Sequence, residues 1–241
     1  MPNLYFYPGA QNPELYELQN SMIDPDRKVE SLMEQFISLK GKVLVDIGAG
    51  SGFHAHRFAD SCKAVYAIEP LSGMLKQLYE RQYRNFKSNL SVIKGFAENI
   101  PLRDHIADVV HARLAYFFGP SMKYTESCEE GIEEVKRILK PGGYFFNIQN
   151  NYSEGTFAEF LRIAYGRSLD NVQKAVENFF AEHSFEHELV KTVWRGKNRE
   201  EIKKALLLEF PYEVIDSIMQ QFKGTEFSYC FSVFILKKGD L

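Results

Sequence analysis

The chain has 241 residues, 45% of them hydrophobic, 25% charged and 14% aromatic, which excludes intrinsic disorder and supplies a core that needs no metal or disulfide. Its 29 basic and 32 acidic residues leave a net charge of −3, an argument against a polyanionic partner. The most apolar run, residues 227–236, is about ten residues long where a membrane helix needs about 20, so no membrane span is expected.

From about residue 30 to residue 150, short apolar runs alternate with longer amphipathic ones. Residues 42–47, apolar, β-branched and flanked by Gly41 and Gly48, read as a parallel strand buried on both faces. Residues 64–68, 90–93, 107–110 and 144–148 have the same character. Between them, residues 71–86 and 129–139 read as helices; in the second, Ile132, Val135, Ile138 and Leu139 share one face. Lys140-Pro141-Gly142-Gly143 is expected to stop that helix and form the turn after it. Such alternation predicts an α/β fold with a doubly wound, mostly parallel sheet.

Beyond residue 150 the pattern changes. Residues 153–185 are helical in character and carry Phe157, Phe160, Tyr165, Phe179 and Phe180. A strand is expected at 189–194, then a helix opened by Asn198-Arg199-Glu200-Glu201, whose capping acceptor and glutamate satisfy free amides at a helix start. Residues 227–236 close the chain as a strand, expected to lie antiparallel in the sheet. No repeat or long linker divides the chain, so residues 1–241 read as a single domain. Cys62, Cys128 and Cys230 are scattered, with no CxxC spacing and no nearby His pair, so neither a metal site nor a disulfide framework is expected. Reduced thiols and a start, Met1-Pro2-Asn3-Leu4-Tyr5, without a signal-peptide pattern point to a soluble cytoplasmic protein.

The most informative stretch is Val43-Leu44-Val45-Asp46-Ile47-Gly48-Ala49-Gly50-Ser51-Gly52. A buried strand runs into a turn with glycine at every second position, and a helix follows at once. Without Cβ atoms a ligand can lie directly on the main chain, and free amides at the helix start favour a carboxylate or phosphate. A tight turn with no ligand is the alternative. Dinucleotide enzymes use G-x-G-x-x-G; here Phe53 holds the third glycine's place and the glycine comes earlier, at Gly52. The stretch instead resembles the D/E-x-G-x-G-x-G loop of the class I S-adenosylmethionine-dependent methyltransferases.

Further residues extend this resemblance over positions 41–150. They are Glu69 at the end of Tyr66-Ala67-Ile68-Glu69-Pro70, the loop Gly95-Phe96-Ala97-Glu98-Asn99-Ile100-Pro101-Leu102, Asp108-Val109-Val110, and the helix-to-strand stretch from Glu134 to Gly143. Residues 111–120, His-Ala-Arg-Leu-Ala-Tyr-Phe-Phe-Gly-Pro, together with Gly224-Thr225-Glu226, resemble an uncharacterised bacterial subgroup of these enzymes.

The resemblance implies a seven-stranded Rossmann-like sheet with S-adenosylmethionine as methyl donor. Residues 1–35 would be an N-terminal helical lid, 36–150 the donor-binding core, 151–187 a helical insertion capping the substrate, and 188–241 the C-terminal part of the sheet. Gly48, Gly50, Ser51 and Gly52 would approach the donor's methionine part, and Asp46 would order the loop. Glu69, at an exposed strand end with little role in the core, would accept both ribose hydroxyls. Phe96 would stack on the adenine, Ala97 would read it through its amide, and Glu98 would orient the loop. Arg113 stands where relatives carry a small residue beside the donor. Methyl transfer needs mainly in-line positioning, so a dedicated base is not required. His111 and Tyr116 lie where substrates bind in such sheets and are the catalytic candidates; a satisfied imidazole and a packed ring are the alternatives. His54 is expected to pack at the helix start.

Tyr5, Phe6, Tyr7 and Tyr16 of the lid suit an apolar or aromatic small-molecule acceptor. A nucleic-acid acceptor is disfavoured, since no Asn/Asp-Pro-Pro-Tyr tetrapeptide follows the fourth strand and no Pro-Cys pair is present. Two other classes stay open. A nicotinamide-dependent oxidoreductase explains the glycine turn and Glu69 but not Phe53 or residues 95–102. A protein that binds the donor without transferring methyl explains both.

Overall fold

A computed structural model of the chain describes residues 11–121 and 126–239. Seven strands form one sheet: β1 (Val43–Ile47), β2 (Ala64–Glu69), β3 (Leu90–Lys94), β4 (Ala107–Arg113), β5 (Leu139–Asn150), β6 (Glu186–Arg195) and β7 (Glu226–Lys237). Their order is β3-β2-β1-β4-β5-β7-β6. Strands β1 to β5 run parallel, while β7 lies antiparallel between β5 and β6. The seven-stranded, mostly parallel α/β sheet with an antiparallel last strand is the one expected.

Two strands differ from the sequence reading for reasons of position. β3 pairs with β2 alone, so its Ser91 and Lys94 are exposed rather than buried on both faces. β7, flanked on both sides, is buried along almost its whole length. β5 also starts earlier than expected. It follows α5 (Glu129–Ile138) directly, and the Pro-Gly-Gly stretch forms an irregularity within the strand, where its register with β4 shifts.

Side chains alternate across the sheet and build two cores. On one face, Leu44 packs with α2 (Lys28–Phe36), α3 (Phe53–Phe58) and α4 (Ser72–Arg84) through Val29, Met33, Ala55, Phe58 and Leu78. On the other, Val45 and Ile47 pack with α5 and α7 (Asp170–Glu182) through Ile132, Val135, Val176 and Phe180. The stretch read as one insertion therefore separates. α6 (Gly155–Tyr165) sends Phe157 and Phe160 into the α2–α3 core, whereas α7 covers the opposite face as an ordinary layer helix. Apolar stripes on successive helices do not say which face of the sheet each one meets.

α8 (Arg199–Leu206), the helix expected after Asn198, and α9 (Tyr212–Gln221), expected only as part of the C-terminal region, share α6's core through Ile202, Leu206, Ile215 and Ile218. The Asn198 side chain caps α8 as read, accepting the Glu201 amide at 2.9 Å. α1 (Pro13–Met22) packs against α8 and brings Tyr16 to the sheet's carboxyl edge. Tyr5, Phe6 and Tyr7 lie outside the described residues.

Candidate active site

The turn after β1 holds Gly48, Gly50 and Gly52 at φ of 70°, 58° and 79°, the left-handed region that favours glycine. Space is as restrictive as conformation. A Cβ on Gly48 would lie 2.3 Å from the Ala115 Cβ, one on Gly50 would lie 2.4 Å from the Tyr16 hydroxyl, and one on Gly52 would lie 2.0 Å from a Leu78 methyl. The amides of the turn itself are largely engaged. Gly48 and Ala49 donate to the Ile68 carbonyl at 2.8 and 3.0 Å, Gly52 donates to Ala49, and Gly50 donates to Glu69 Oε2 at 2.8 Å. What the turn offers a ligand is a bare, tightly fixed main chain.

Glu69 is likewise not at an exposed strand end. It is 4% exposed, and its two carboxylate oxygens accept from the Gly50 and Leu71 amides at 2.8 Å each. The start of α4 and the glycine turn close around the last residue of β2, and burial pushes the carboxyl up to about 7. The Gly95 amide reaches the Glu69 carbonyl at 3.4 Å. Asp46, Gly48, Gly50, Ser51, Gly52 and Glu69 thus gather at the carboxyl ends of β1 and β2, with Phe96 and Ala97 in the adjoining loop after β3.

α1 covers this cluster. Glu17 accepts the Ser51 hydroxyl at 2.5 Å and pairs with Arg81 of α4, whose Nε donates to the Ser51 carbonyl at 2.9 Å. Tyr16 lies over Gly50, and desolvation pushes its hydroxyl up to about 12. Glu17 and Arg81 were not singled out from sequence. They meet Ser51 only through the tertiary fold, and no local motif marks them.

Asp46 and His111 are register partners across β1 and β4. The imidazole Nδ1 bonds Asp46 Oδ1 at 2.7 Å, the histidine is 1% exposed, and its ring packs 4.9 Å from that of Phe58. His111 is therefore a buried imidazole with a partner in Asp46. Asp46→Ala would leave that nitrogen buried without its partner, costing about 1–3 kcal/mol. Thermal unfolding at pH 7 is expected to register the loss, and an unchanged melting temperature would refute the pairing's importance.

Tyr116, at a φ of 30°, packs edge-on against Phe117 with ring centroids 5.0 Å apart and lies beside Gly131 of α5. Desolvation pushes its phenol upward, so it is held neutral and unsuited to act as a base. His54 packs beside Phe53 and His111 at the α3 start, as expected, and burial keeps it neutral. In the loop after β3, Ala97 is buried and Phe96 half-buried. The next residues are pinned from α5: Glu134 accepts the Ile100 amide at 2.8 Å, while Arg137 donates to the Ile100 and Leu102 carbonyls at 2.9 and 2.8 Å. The Glu134–Arg137 pair thus fixes the far end of the loop that holds Glu98.

Arg113 closes β4. Its guanidinium lies over the Phe231 ring on β7, 4.6 Å from the centroid. Among the described residues, no cluster of three or more His, Cys, Asp or Glu is suited to hold a metal ion.

Residues 45–147 match a family model described as a methyltransferase domain. An uncharacterised chloroplastic methyltransferase of Arabidopsis thaliana is 31% identical over 127 residues, covering 50% of this chain and 34% of the relative. Malonyl-[acyl-carrier protein] O-methyltransferase of Methylococcus capsulatus is 29% identical over 148 residues, covering 61% of this chain and 49% of the relative. The chain thus spans half or less of the length of these curated relatives. An S-adenosylmethionine-dependent methyltransferase of Aquifex aeolicus matches the fold with a TM-score of 0.55 at 19% identity, covering 92% of this chain and 97% of that one. The chain therefore shares its fold with that solved methyltransferase, and its residues 45–147 match the methyltransferase domain model.

Proposed function

We propose that the chain is an S-adenosylmethionine-dependent methyltransferase acting on a small-molecule acceptor. The observation that carries this reading is the Cβ-free turn closed around the Glu69 carboxylate, inside a domain that matches methyltransferases. S-adenosylmethionine, when bound, supplies a methyl group on a sulfonium. Gly48, Gly50, Ser51 and Gly52 would receive its methionine part, with Asp46 held in place by His111. Glu69 would exchange its amide partners for the two ribose hydroxyls, and Phe96 and Ala97 would border the adenine. Tyr16 and the Glu17–Ser51–Arg81 contacts exclude water from above. With His111 sealed and Tyr116 held neutral, the chain's contribution is positioning rather than proton transfer.

An apolar or aromatic acceptor suits Tyr16 of α1 and the aromatics between residues 151 and 187, and a cytoplasmic, bacterial setting fits the three buried free thiols and the resemblance of residues 111–120. The oxidoreductase reading fares worse, since Phe53 fills the third glycine's place and lies beneath the Arg57 and Arg81 guanidiniums. Calorimetry is expected to show S-adenosylmethionine binding and no NADH binding, and labelled methyl from the donor is expected to enter a small molecule. Preference for NADH, or donor binding with no transfer to any acceptor, would overturn the proposal.

A further inference from the structure

Taking a guanidinium out of water strands five N–H donors unless something accepts from them. The other half-buried arginines each have a carboxylate or carbonyl partner, although Nε of Arg57 and of Arg199 is buried without one. Arg57 pairs with Glu30 at 2.6 Å, Arg81 with Glu17, Arg137 with Glu134 and Asp104 at 2.7 Å each, and Arg199 donates to the Met219 and Phe222 carbonyls.

Arg113 does not. It is half-buried, yet among the described residues no carboxylate lies within 4.0 Å of it and no acceptor takes its hydrogens. Its companion is the Phe231 ring, which satisfies the face of the guanidinium and leaves its N–H edge open. The polar groups around it are committed elsewhere. Asp24 accepts from the Lys28 and Val29 amides and the Thr192 hydroxyl at 2.9, 3.1 and 2.7 Å, and the Tyr229 hydroxyl donates to Asn150.

Location gives the open edge a use. Arg113 follows Ala112, the register partner of Ile47, which immediately precedes the glycine turn. Ala115, two residues on, touches Gly48's Cβ position, and Asn147 and Gln149 both donate to the Phe117 carbonyl, fixing the chain past β4. The guanidinium therefore stands at the carboxyl edge of the sheet, one strand from the proposed donor turn. A planar fork of N–H donors matches a carboxylate or phosphate bidentately.

We propose that Arg113 recognises an anionic group of the methyl acceptor, a carboxylate or a phosphate, and so restricts the enzyme to acidic small molecules. This rests on the transferase reading above. It also moves Arg113 from the donor, where the resemblance put it, to the acceptor.

The test separates a small-molecule extract of the source cells on an anion exchanger at pH 8 and offers each fraction to the full chain with methyl-labelled S-adenosylmethionine. Label is expected to enter the retained fraction and not the flow-through. Prior phosphatase treatment abolishes labelling if the group is a phosphate monoester and spares it if it is a carboxylate. Arg113→Met keeps the apolar stem against Phe231 but loses the fork. It is expected to cut transfer ten- to hundredfold, the weight of charge-assisted bonds, while donor affinity by calorimetry stays within twofold; Arg113→Lys recovers part of the transfer. Labelling of the flow-through, or undiminished transfer by Arg113→Met, overturns the assignment while leaving the transferase reading standing. Label in neither fraction overturns both.

Discussion

Between pH 5.5 and 7.5, affinity for S-adenosylmethionine is expected to rise about ten- to thirtyfold while the donor-free protein loses stability. Both effects come from Glu69. Burial raises its carboxyl from 4.5 to about 7, so the folded chain holds this proton where the unfolded chain has released it. The stability it contributes is fully present below about 4.5 and is lost as pH rises through about 7, amounting to about 3 kcal/mol. Ribose hydroxyls donate to an ionised carboxylate, so donor binding runs the other way, gaining about tenfold per pH unit below 7 and levelling above it. Calorimetry in buffers of different ionisation heat should show proton release on binding below pH 7. Glu69→Gln should flatten the affinity profile. A wild-type dissociation constant independent of pH, or an unchanged slope in Glu69→Gln, would remove Glu69 from the donor site. The buried geometry also changes what Glu69→Ala should do. Besides weakening the donor ten- to hundredfold, it strips the Gly50 and Leu71 amides of their acceptor, so the melting temperature falls as well.

The parts legible in the sequence were those whose physics is local. Five apolar runs, a glycine turn and the Asn198 cap each state their conformation within ten residues, and all appear in the fold where expected. β3 shows the limit of that reading: its apolar run looks like those of β1 and β4, but an edge strand has a neighbour on only one side, and position in the sheet is a property of the whole chain. The same applies to α6 and α7, whose aromatic stripes predicted burial but not opposite faces. Glu17 and Arg81 reach Ser51 across 34 and 30 residues, so no spacing rule could have found them. For His111 the decisive fact is the β1–β4 register, which sets it opposite Asp46 and gives its Nδ1 a buried partner. Arg113 was visible as an unusual charge, but its seat over the Phe231 ring could be seen only in the fold.

Gly50→Val is expected to weaken S-adenosylmethionine binding by more than a hundredfold and to lower the melting temperature by several degrees. The two losses have separate causes. At a φ of 58°, a β-branched residue is held in the left-handed region, which costs about 1–2 kcal/mol. For a chain of this size that is worth about 2–8 °C. The new side chain also meets the Tyr16 hydroxyl, 2.4 Å from the ideal Cβ position, so α1 must shift from the turn and the Glu17–Ser51 contact with it. Donor binding suffers for a third reason, since the valine methyls occupy the space the ligand is proposed to share with bare main chain. A second substitution distinguishes these contributions. Gly50→Val with Tyr16→Ala removes the clash with α1, so part of the lost melting temperature should return, but the turn stays blocked and donor affinity should not recover. If the double variant bound S-adenosylmethionine as well as the wild type, the loss in Gly50→Val would belong to α1 alone, and the donor would have to lie away from the glycine turn.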